Sequence, residues 1–356
     1  MCPAVLFLLP AFAQAQPPKP QGELKSFRGT LGKYRVQMRL RRDGDALSGS
    51  YSYEHVRGGG LRLEGTIDGE GRFTLRESDA AGAQTGLFKG TWDISPSSNE
   101  HGGDESEVSL AGEWSRPDGT RKAEFSLSEN FVAFTGDARL VTRELKDADK
   151  RLNFEISVEY PQIEGMAAAS AAGFNEAARA LASKEAADFR KGVADYRADY
   201  KGRSPAGVGS YLDLDYYVDY ADDQLVSVGF NEQTAYAWAA HPNYSTVVLN
   251  YDLKAGRVLR LADLFRPGSR YLKVISDYCI RELKGDTDLD GEQIEGGASA
   301  KPENYRNWLV KRQGLEITFD PYQVGPYVAG PQYVTVPYKA LAGIVNPAGP
   351  LAPFLK

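Results

Sequence analysis

The sequence predicts two domains, an all-β domain followed by an α+β domain with a mainly antiparallel sheet and two main helices. The first expectation rests on closely spaced turn signals and on an apolar-x-Gly-x-large pattern that recurs four times between residues 47 and 114. The second rests on alternating strand patterns interrupted by two segments of helical periodicity. We predict a signal peptide at residues 1–15, a linker at 16–22, a β-barrel-like domain at 23–128 and an α+β domain at 135–347.

Length and composition are those of a globular protein with room for two cores. The chain has 356 residues, of which 42% are hydrophobic and 25% are charged. Its net charge of -6 argues against nucleic acid as a partner, because nucleic-acid-binding domains normally present a basic face. The acidic balance is compatible with a basic protein partner or a neutral glycan.

The first residues are typical of the end of a secretory signal peptide. An apolar run stops at two Ala-x-Ala sites, residues 11–13 and 13–15. The run is too short to span a bilayer, and no later stretch qualifies as a transmembrane segment. We therefore expect a periplasmic or secreted protein.

The first domain reads as about eight short strands joined by hairpins. Its repeated pattern begins at Leu47, Leu63, Phe88 and Leu110, and Asp-Gly turn signals fall between the strands. This order predicts an up-and-down meander closed into a small, lipocalin-like barrel. Such a barrel could carry a small apolar ligand. Alternatively, its large side chains fill the lumen; these are Tyr51, Phe88, Trp92 and Trp114.

In the second domain, helical periodicity marks residues 166–193 and 270–283. The last stretch contains a strand in which Leu315, Ile317 and Phe319 alternate with polar residues, so we predict that this strand is half-buried. A loop follows that contains three prolines and two tyrosines. The five candidate ligand-binding residues are Tyr322 and Tyr327 in this loop and, upstream, Trp238, His241 and Tyr244. Alternatively, these aromatic residues only pack the domain.

Two motifs in this domain carry a family resemblance. The segments TVVLNYDLKAGRVLRLADLF and FDPYQVGPYVAG resemble a bacterial extracytoplasmic family that includes the lysozyme-sensing region of the anti-sigma factor RsiV and the N-terminal region of the deacetylase PdaC. The resemblance covers roughly residues 140–345. It implies a noncatalytic module outside the cytoplasm, in some members one that recognises a protein such as lysozyme.

Catalytic and metal-binding alternatives rest on carboxylates. Asp213, Asp215 and Asp219 share one predicted strand face, with neighbours roughly 6.5 to 7 Å apart, as in inverting glycosidases. Residues 286–291 match the start of a calcium loop, but the closing position is Gly297. Cys279 lies on an apolar helical face and is expected to be a core residue. We therefore expect no catalytic residue, no metal and no cofactor.

The sequence thus favours a noncatalytic extracytoplasmic binding protein, and whether it has any enzymatic activity is left open. Its ligand would be a cell-envelope component such as peptidoglycan, or a protein such as a lysozyme-like muramidase. A cell-wall glycan hydrolase acting through the strand carboxylates and an apolar-ligand carrier acting through the barrel are the alternatives.

Overall fold

A computed structural model describes residues 24–54, 60–96, 106–136, 138–199, 209–237, 239–285 and 289–355. The first domain is a closed barrel of eight antiparallel strands in sequence order, with β8 paired to β1. The strands are β1 (Leu24–Leu31), β2 (Tyr34–Asp43), β3 (Ala46–Tyr53), β4 (Leu61–Ile67), β5 (Arg72–Ser78), β6 (Gln84–Pro96), β7 (Ser106–Ser115) and β8 (Lys122–Asn130). The predicted up-and-down barrel is confirmed.

Aromatic side chains fill the barrel. The ring of Phe88 lies 5.3 Å from those of Tyr51 and Phe125, and the rings of Phe27 and Trp92 are 5.4 Å apart. These buried rings pack edge to face and belong to one hydrophobic core. This arrangement supports the packed-lumen alternative over the apolar-ligand carrier.

The repeated glycines let the barrel strands pack closely. A Cβ atom on Gly65 would lie 1.8 Å from the Thr74 carbonyl oxygen, and one on Gly49 would lie 1.9 Å from that of Arg39. No side chain fits at either place without moving the neighbouring strand. The repeat is therefore a requirement of the tightly curved sheet.

A buried ion pair of the barrel contacts the second domain. The Arg28 guanidinium donates to Glu54 at 2.8 Å within the barrel and to the Tyr216 carbonyl oxygen at 3.1 Å across the junction. Burial opposes the charge on Glu54, but Arg28 and the hydroxyl of Thr142 stabilise it and hold the pKa of the carboxyl below its usual value. At the junction, the barrel thus supplies two desolvated charges, and the second domain supplies a carbonyl oxygen and a hydroxyl that bind them.

The second domain contains a six-stranded sheet with the order β14-β13-β12-β11-β10-β9, in which only β10 and β11 are parallel. Helix α1 (Ala168–Asp199) crosses between those two strands. The strands are β9 (Arg139–Asp149), β10 (Phe154–Glu164), β11 (Ser210–Ala221), β12 (Leu225–Ala235), β13 (Asn243–Asp252) and β14 (Arg257–Val258).

Helix α1 packs on one face of the large sheet. Its buried stripe is mostly alanine, including Ala178, Ala182 and Ala186, so the helix backbone approaches the sheet closely. The side chain of Asn175 bonds both the N–H and the C=O of Ile163, at 2.7 and 3.0 Å. These contacts fix the helix against β10.

A three-stranded antiparallel sheet covers the opposite face and is covered in turn by a helix. The chain order is α2 (Tyr271–Leu283), α3 (Gly291–Gly297), β15 (Trp308–Val310), β16 (Gly314–Phe319), β17 (Gln332–Pro337) and α4 (Tyr338–Leu341). Cys279 on α2 is fully buried, and burial raises the pKa of its thiol, as expected of a core cysteine. The α+β prediction with two main helices is confirmed, and two short helices accompany them.

The prediction that the strand carrying Leu315 is half-buried is wrong. Leu315, Ile317 and Phe319 face the core on the α2 side, whereas Glu316 and Thr318 face the large sheet and are equally buried. The alternation of apolar and polar residues therefore separates a hydrophobic core from a polar layer between two sheets. Within the described residues, no helix is long and apolar enough to cross a membrane.

Candidate functional site

Residues 320–331, which we call the tyrosine loop, connect β16 to β17 and are held by β13 and α3. Asp320 accepts a 2.9 Å hydrogen bond from the Thr246 N–H on β13. Gln293 on α3 donates to the carbonyl oxygens of Tyr322 and Gly325 at 2.9 and 3.0 Å. Together with three prolines, these bonds restrict the backbone of the loop, which is therefore organised before any ligand arrives.

Four of the five candidate ligand-binding residues come together at this loop. The ring of Tyr327 lies 4.4 Å from His241, 5.4 Å from Tyr322 and 6.4 Å from Tyr244. The Tyr327 hydroxyl donates to the Pro242 carbonyl oxygen at 2.6 Å, and the same oxygen lies 2.8 Å from His241 Nδ1. The fifth candidate, Trp238, lies outside the described residues.

Tyr322 combines an unfavourable backbone conformation with an exposed ring. Its φ is 72°, in the left-handed region that favours glycine or asparagine, and its side chain is 58% exposed. The ring therefore contributes little packing to offset the backbone strain. Strained, exposed side chains of this kind are found disproportionately at functional sites.

A cleft of about 270 Å³ lies beside the tyrosine cluster, between the large sheet and the tyrosine loop. Its sheet side consists of neighbouring polar residues on β11, β12 and β13, and its other side is formed by Asp320 and two prolines of the tyrosine loop and by Tyr333 on β17. The lining residues from the sheet are Asp213, Asp215, Asn231, Glu232, Gln233, Tyr244, Ser245 and Thr246. Because Tyr244 belongs to both cleft and cluster, the two form one continuous surface.

Hydrogen bonds order the polar wall of the cleft. Asn231 donates to Asp215 at 2.8 Å, and Gln233 donates to the hydroxyls of Tyr211 and Tyr244 at 2.9 and 3.1 Å. Asp213 and Asp215 are both exposed on this face of β11. Asp219, the third acid of the predicted set, lies at a bulge in the β11–β12 pairing, so the regular spacing ends before it.

Glu232 is among the residues that line the cleft, but strand alternation directs its side chain towards α1. It follows Val228 and Phe230 on the face of β12 that packs on the helix. Burial and the nearby carboxylate of Glu185 raise its pKa to about 7. A carboxyl group with such a pKa would suit a general acid, but its direction places it behind the cleft wall.

The remaining sequence candidates do not form a metal site within the described residues. Residues 286–288 of the calcium-like loop lie outside those residues. Asp290, from the same loop, caps α3 by accepting bonds from the N–H groups of Glu292 and Gln293. No group of three or more potential ligands from His, Cys, Asp and Glu occurs in the described parts of the chain.

Several site residues escaped the sequence analysis. Asn231 and Gln233 alternate at the polar end of β12, a signal that could have placed them on one face with Asp213 and Asp215. Gln293 gave no signal, because its role depends on two carbonyl groups about thirty residues away, at separations of 29 and 32. Its function as a loop anchor exists only in the folded chain.

Comparison with known proteins finds a family match in a segment that includes the tyrosine loop. Residues 262–339 match the family "Protein of unknown function (DUF3298)". The peptidoglycan-N-acetylmuramic acid deacetylase PdaC of Bacillus subtilis (strain 168) is 27% identical over 195 residues, which is 54% of this chain and 39% of PdaC. The chain thus spans about two fifths of the length of that relative.

Two solved DUF3298 structures are also similar. The one from Bacteroides fragilis NCTC 9343 is 22% identical, covers 62% of this chain and 98% of its own, and has a TM-score of 0.48. The one from Pseudomonas aeruginosa PAO1 is 18% identical, covers 59% of this chain and 95% of its own, and has a TM-score of 0.41. The family match and the identity to PdaC confirm the resemblance seen in the motifs: residues 262–339 match the DUF3298 model, in a PdaC-like and RsiV-like region that an eight-stranded barrel precedes.

Proposed function

We propose that this protein is a noncatalytic, extracytoplasmic binding protein that recognises peptidoglycan through the tyrosine cluster and the adjoining cleft. The observation that carries the proposal is a cluster of tyrosine rings, including the exposed Tyr322 on a restrained loop, that adjoins through Tyr244 a cleft lined by amides and carboxylates. Sugar rings pack their C–H faces on aromatic rings, and their hydroxyls bond amide and carboxylate groups. The site offers both kinds of contact side by side.

The relatives support the choice of ligand. PdaC is named for its action on peptidoglycan, and its similarity to this chain covers 54% of the chain. The secretory pattern of residues 1–15 supports a location outside the cytoplasm, where peptidoglycan is found. Residues 1–23 lie outside the described part of the chain, so this support comes from the sequence alone.

The direction of Glu232 supports binding over hydrolysis. Inverting and retaining glycosidases generally place a carboxyl group of raised pKa against the bond they cleave. Here the carboxyl with a pKa of about 7 faces Glu185 on α1, on the other side of the sheet from Asp213 and Asp215. This separation removes the natural general acid from the cleft.

Sedimentation with purified peptidoglycan sacculi tests the proposal. The wild-type chain should pellet with sacculi, and Tyr322→Gly should weaken binding by about tenfold or more, because an exposed aromatic contact is removed. Tyr34→Ala is the matched control, since Tyr34 is also an exposed tyrosine, 43% accessible, but lies on the barrel. Circular dichroism and thermal melting should show that both variants remain folded.

Three results would contradict the proposal. Unchanged sedimentation of Tyr322→Gly would remove the tyrosine loop from the site. Capture of purified lysozyme without binding to sacculi would replace the glycan with a basic protein partner, which the net charge of -6 also accommodates. Release of soluble saccharides by the wild-type chain, lost in Asp213→Asn, would show a hydrolase.

A further inference from the structure

A second cleft, of about 320 Å³, lies between the barrel and the second domain, and we call it the junction cleft. Its barrel side is formed by residues of β2 and β3, and its other side by residues around the start of β9 and the end of β10. It shares no lining residue with the cleft beside the tyrosine cluster. Small-molecule sites are frequently found at such places between domains.

Hydrogen bonds across the junction hold the two sides of this cleft in position. Gln37 on β2 donates to the carbonyl oxygen of Leu140. The Arg39 guanidinium donates to the carbonyl oxygens of Phe134 and Ala138 at 3.2 and 3.1 Å. Because Arg39 and Ala138 both line the cleft, these bonds place the guanidinium at its wall. The cleft is therefore formed before a ligand arrives, which lowers the entropic cost of binding.

Arg39 is a half-buried cation without a carboxylate partner. Among the ion pairs between described residues, none includes Arg39. Asp223 acts on its charge from a distance, but both carboxylate oxygens of Asp223 accept hydrogen bonds from Thr135. Burial lowers the pKa of Arg39, and Asp223 offsets this effect only in part. A partly desolvated cation gains more from an anionic ligand than a cation in open water does.

Strand β3 places two serine hydroxyls beside this guanidinium. In the β2–β3 register, Ser50 stands opposite Arg39 and Ser52 stands opposite Gln37. Side chains in such pairs have their Cβ atoms about 4.5–5.5 Å apart, so the four residues form one patch on the outside of the barrel. Within the described structure, neither serine hydroxyl bonds another protein group. Hydroxyl and guanidinium donors together are the groups that bind carboxylate and phosphate oxygens.

Positive charge exceeds negative charge around the cleft. Arg139 and Arg143 share the single carboxylate of Glu164, at 3.0 and 2.7 Å. Together with Arg39, three guanidinium groups thus lie in or beside a cleft whose lining contains one carboxylate. The chain as a whole has a net charge of -6, so this local excess is opposite in sign to the rest of the molecule. A cleft of one charge sign concentrates ligands of the other sign.

We infer that the junction cleft is a second binding site, which takes a ligand through an oxyanion held by Arg39 and by the hydroxyls of Ser50 and Ser52. The planar guanidinium has N–H donors beyond the two that bond the carbonyl oxygens, and it can bind two oxygens of one carboxylate or phosphate group. The inference is independent of the tyrosine cluster and of its ligand.

Two kinds of ligand present this oxyanion chemistry. One is an acidic sugar or a peptide that bears a carboxylate, and the other is a phosphorylated saccharide. Calorimetric titration of the full chain at low ionic strength distinguishes them with three probes of one ring size: glucuronate, glucose 6-phosphate and glucose. We expect at least one of the two anions to bind about tenfold more tightly than glucose, and the tighter anion identifies the oxyanion. Equal binding of all three probes, or no binding of either anion, would overturn the inference.

Arg39→Gln tests the residue that carries the inference. We expect it to weaken binding of the preferred anion by about tenfold or more, because the charge-assisted bonds are lost. Arg76→Gln is the matched control, since it removes the same charge from an exposed arginine of the barrel, which pairs with Glu64 and does not line the cleft. An equal loss of anion binding in the two variants would overturn the assignment to Arg39.

Ser50→Asp keeps the test decisive if Arg39→Gln disturbs the domain junction. It retains Arg39 and its bonds to the carbonyl oxygens, but it places a carboxylate opposite the guanidinium, where it competes with the ligand. We expect anion binding to fall about tenfold or more, with circular dichroism unchanged. Tyr322→Gly should leave anion binding unaltered, because Tyr322 does not line this cleft. Anion binding that survives Ser50→Asp would overturn the inference.

Discussion

The two domains use antiparallel strands in opposite ways. In the barrel, eight strands close on themselves, and one apolar cluster fills the interior. In the second domain, two open sheets face each other across a polar layer, and one end of that layer opens into a cleft. The comparison teaches that closing a sheet pairs the backbone N–H and C=O groups of its edge strands. Stacked open sheets instead leave polar groups and space between them that a ligand can use.

Glycine marks the same difference. In the barrel, Gly65 permits a neighbouring strand to approach. In the tyrosine loop, a tyrosine with φ 72° occupies a conformation that glycine would favour. The barrel residue thus meets a steric demand of the fold, whereas the loop residue opposes a backbone preference.

The largest expected effect is the loss of the barrel in Gly65→Val. The new side chain would begin 1.8 Å from the Thr74 carbonyl oxygen, so we expect destabilisation of about 4 kcal/mol or more. Urea unfolding followed by tryptophan fluorescence measures it. Gly69→Ala is the matched control, because a Cβ atom there meets nothing within 4 Å. Equal free energies of unfolding for the two variants would show that the barrel is not closely packed at Gly65.

The next effect concerns the ion pair at the domain junction. Arg28→Ala would leave Glu54 charged with its side chain only 4% exposed, and we expect a cost of about 3 kcal/mol. Removal of Lys122, whose pair with Glu113 is exposed at 61% and 48%, should cost less than about 0.5 kcal/mol. Urea unfolding measures both costs. Equal costs for the two substitutions would show that the buried pair of Arg28 and Glu54 stabilises the protein no more than an exposed pair does.

A smaller effect depends on pH. Folding raises the pKa of Glu232 from 4.5 to about 7. Folding therefore favours the protonated carboxyl, and the free energy of unfolding falls as the pH rises from 4.5 to about 7. Glu232→Gln should therefore stabilise the protein by about 2 kcal/mol near pH 8 and leave it unchanged near pH 4. Lys184, beside Glu185 on α1, offsets part of this cost.

Thermal melting across this pH range measures the difference between Glu232→Gln and the wild type. Glu155→Gln, on an exposed position of β10, should show no such trend. If Glu232→Gln stabilised the protein equally at every pH, the surroundings of Glu232 would not raise its pKa.

The smallest effect tests the strain at the site. Tyr322→Gly should raise the free energy of unfolding by up to about 1 kcal/mol, because glycine adopts a φ of 72° without a steric cost and little packing is lost. Thermal melting measures this gain. A clear loss of stability would show instead that the ring of Tyr322 supports the loop. The strain at Tyr322 would then not be evidence for a functional site.

The barrel could be predicted because its determinants are local. Hairpin turns and strand alternation specify neighbours in sequence order, so strands pair with the next strand and only the last pairing, β8 to β1, is distant. The helices α1 and α2 followed from periodicity for the same reason. The alternation around Leu315 also predicted which side chains lie on opposite faces of β16. It did not show that another sheet covers the polar face.

The candidate site was predictable only in part. Tyr322 and Tyr327 were singled out by their proline-rich loop, and His241 and Tyr244 by local aromatic density, yet their contacts join residues more than eighty positions apart, as from Tyr327 to Pro242 at a separation of 85. Periodicity placed Asp213 and Asp215 on one face of a strand. It did not place Asn231, Gln233 and the tyrosine loop around them, because that arrangement follows from the register of three strands.

By itself the sequence determined the two-domain organisation, the strand and helix pattern and the family-specific loop, since turn chemistry and side-chain periodicity act over a few residues. Tertiary structure alone decided which polar face was buried, which carboxylates were paired with cations and which residues line the cleft. Those outcomes depend on the packing of one sheet against another, where residues distant in sequence share one desolvated layer and their charges and hydrogen bonds must be satisfied together.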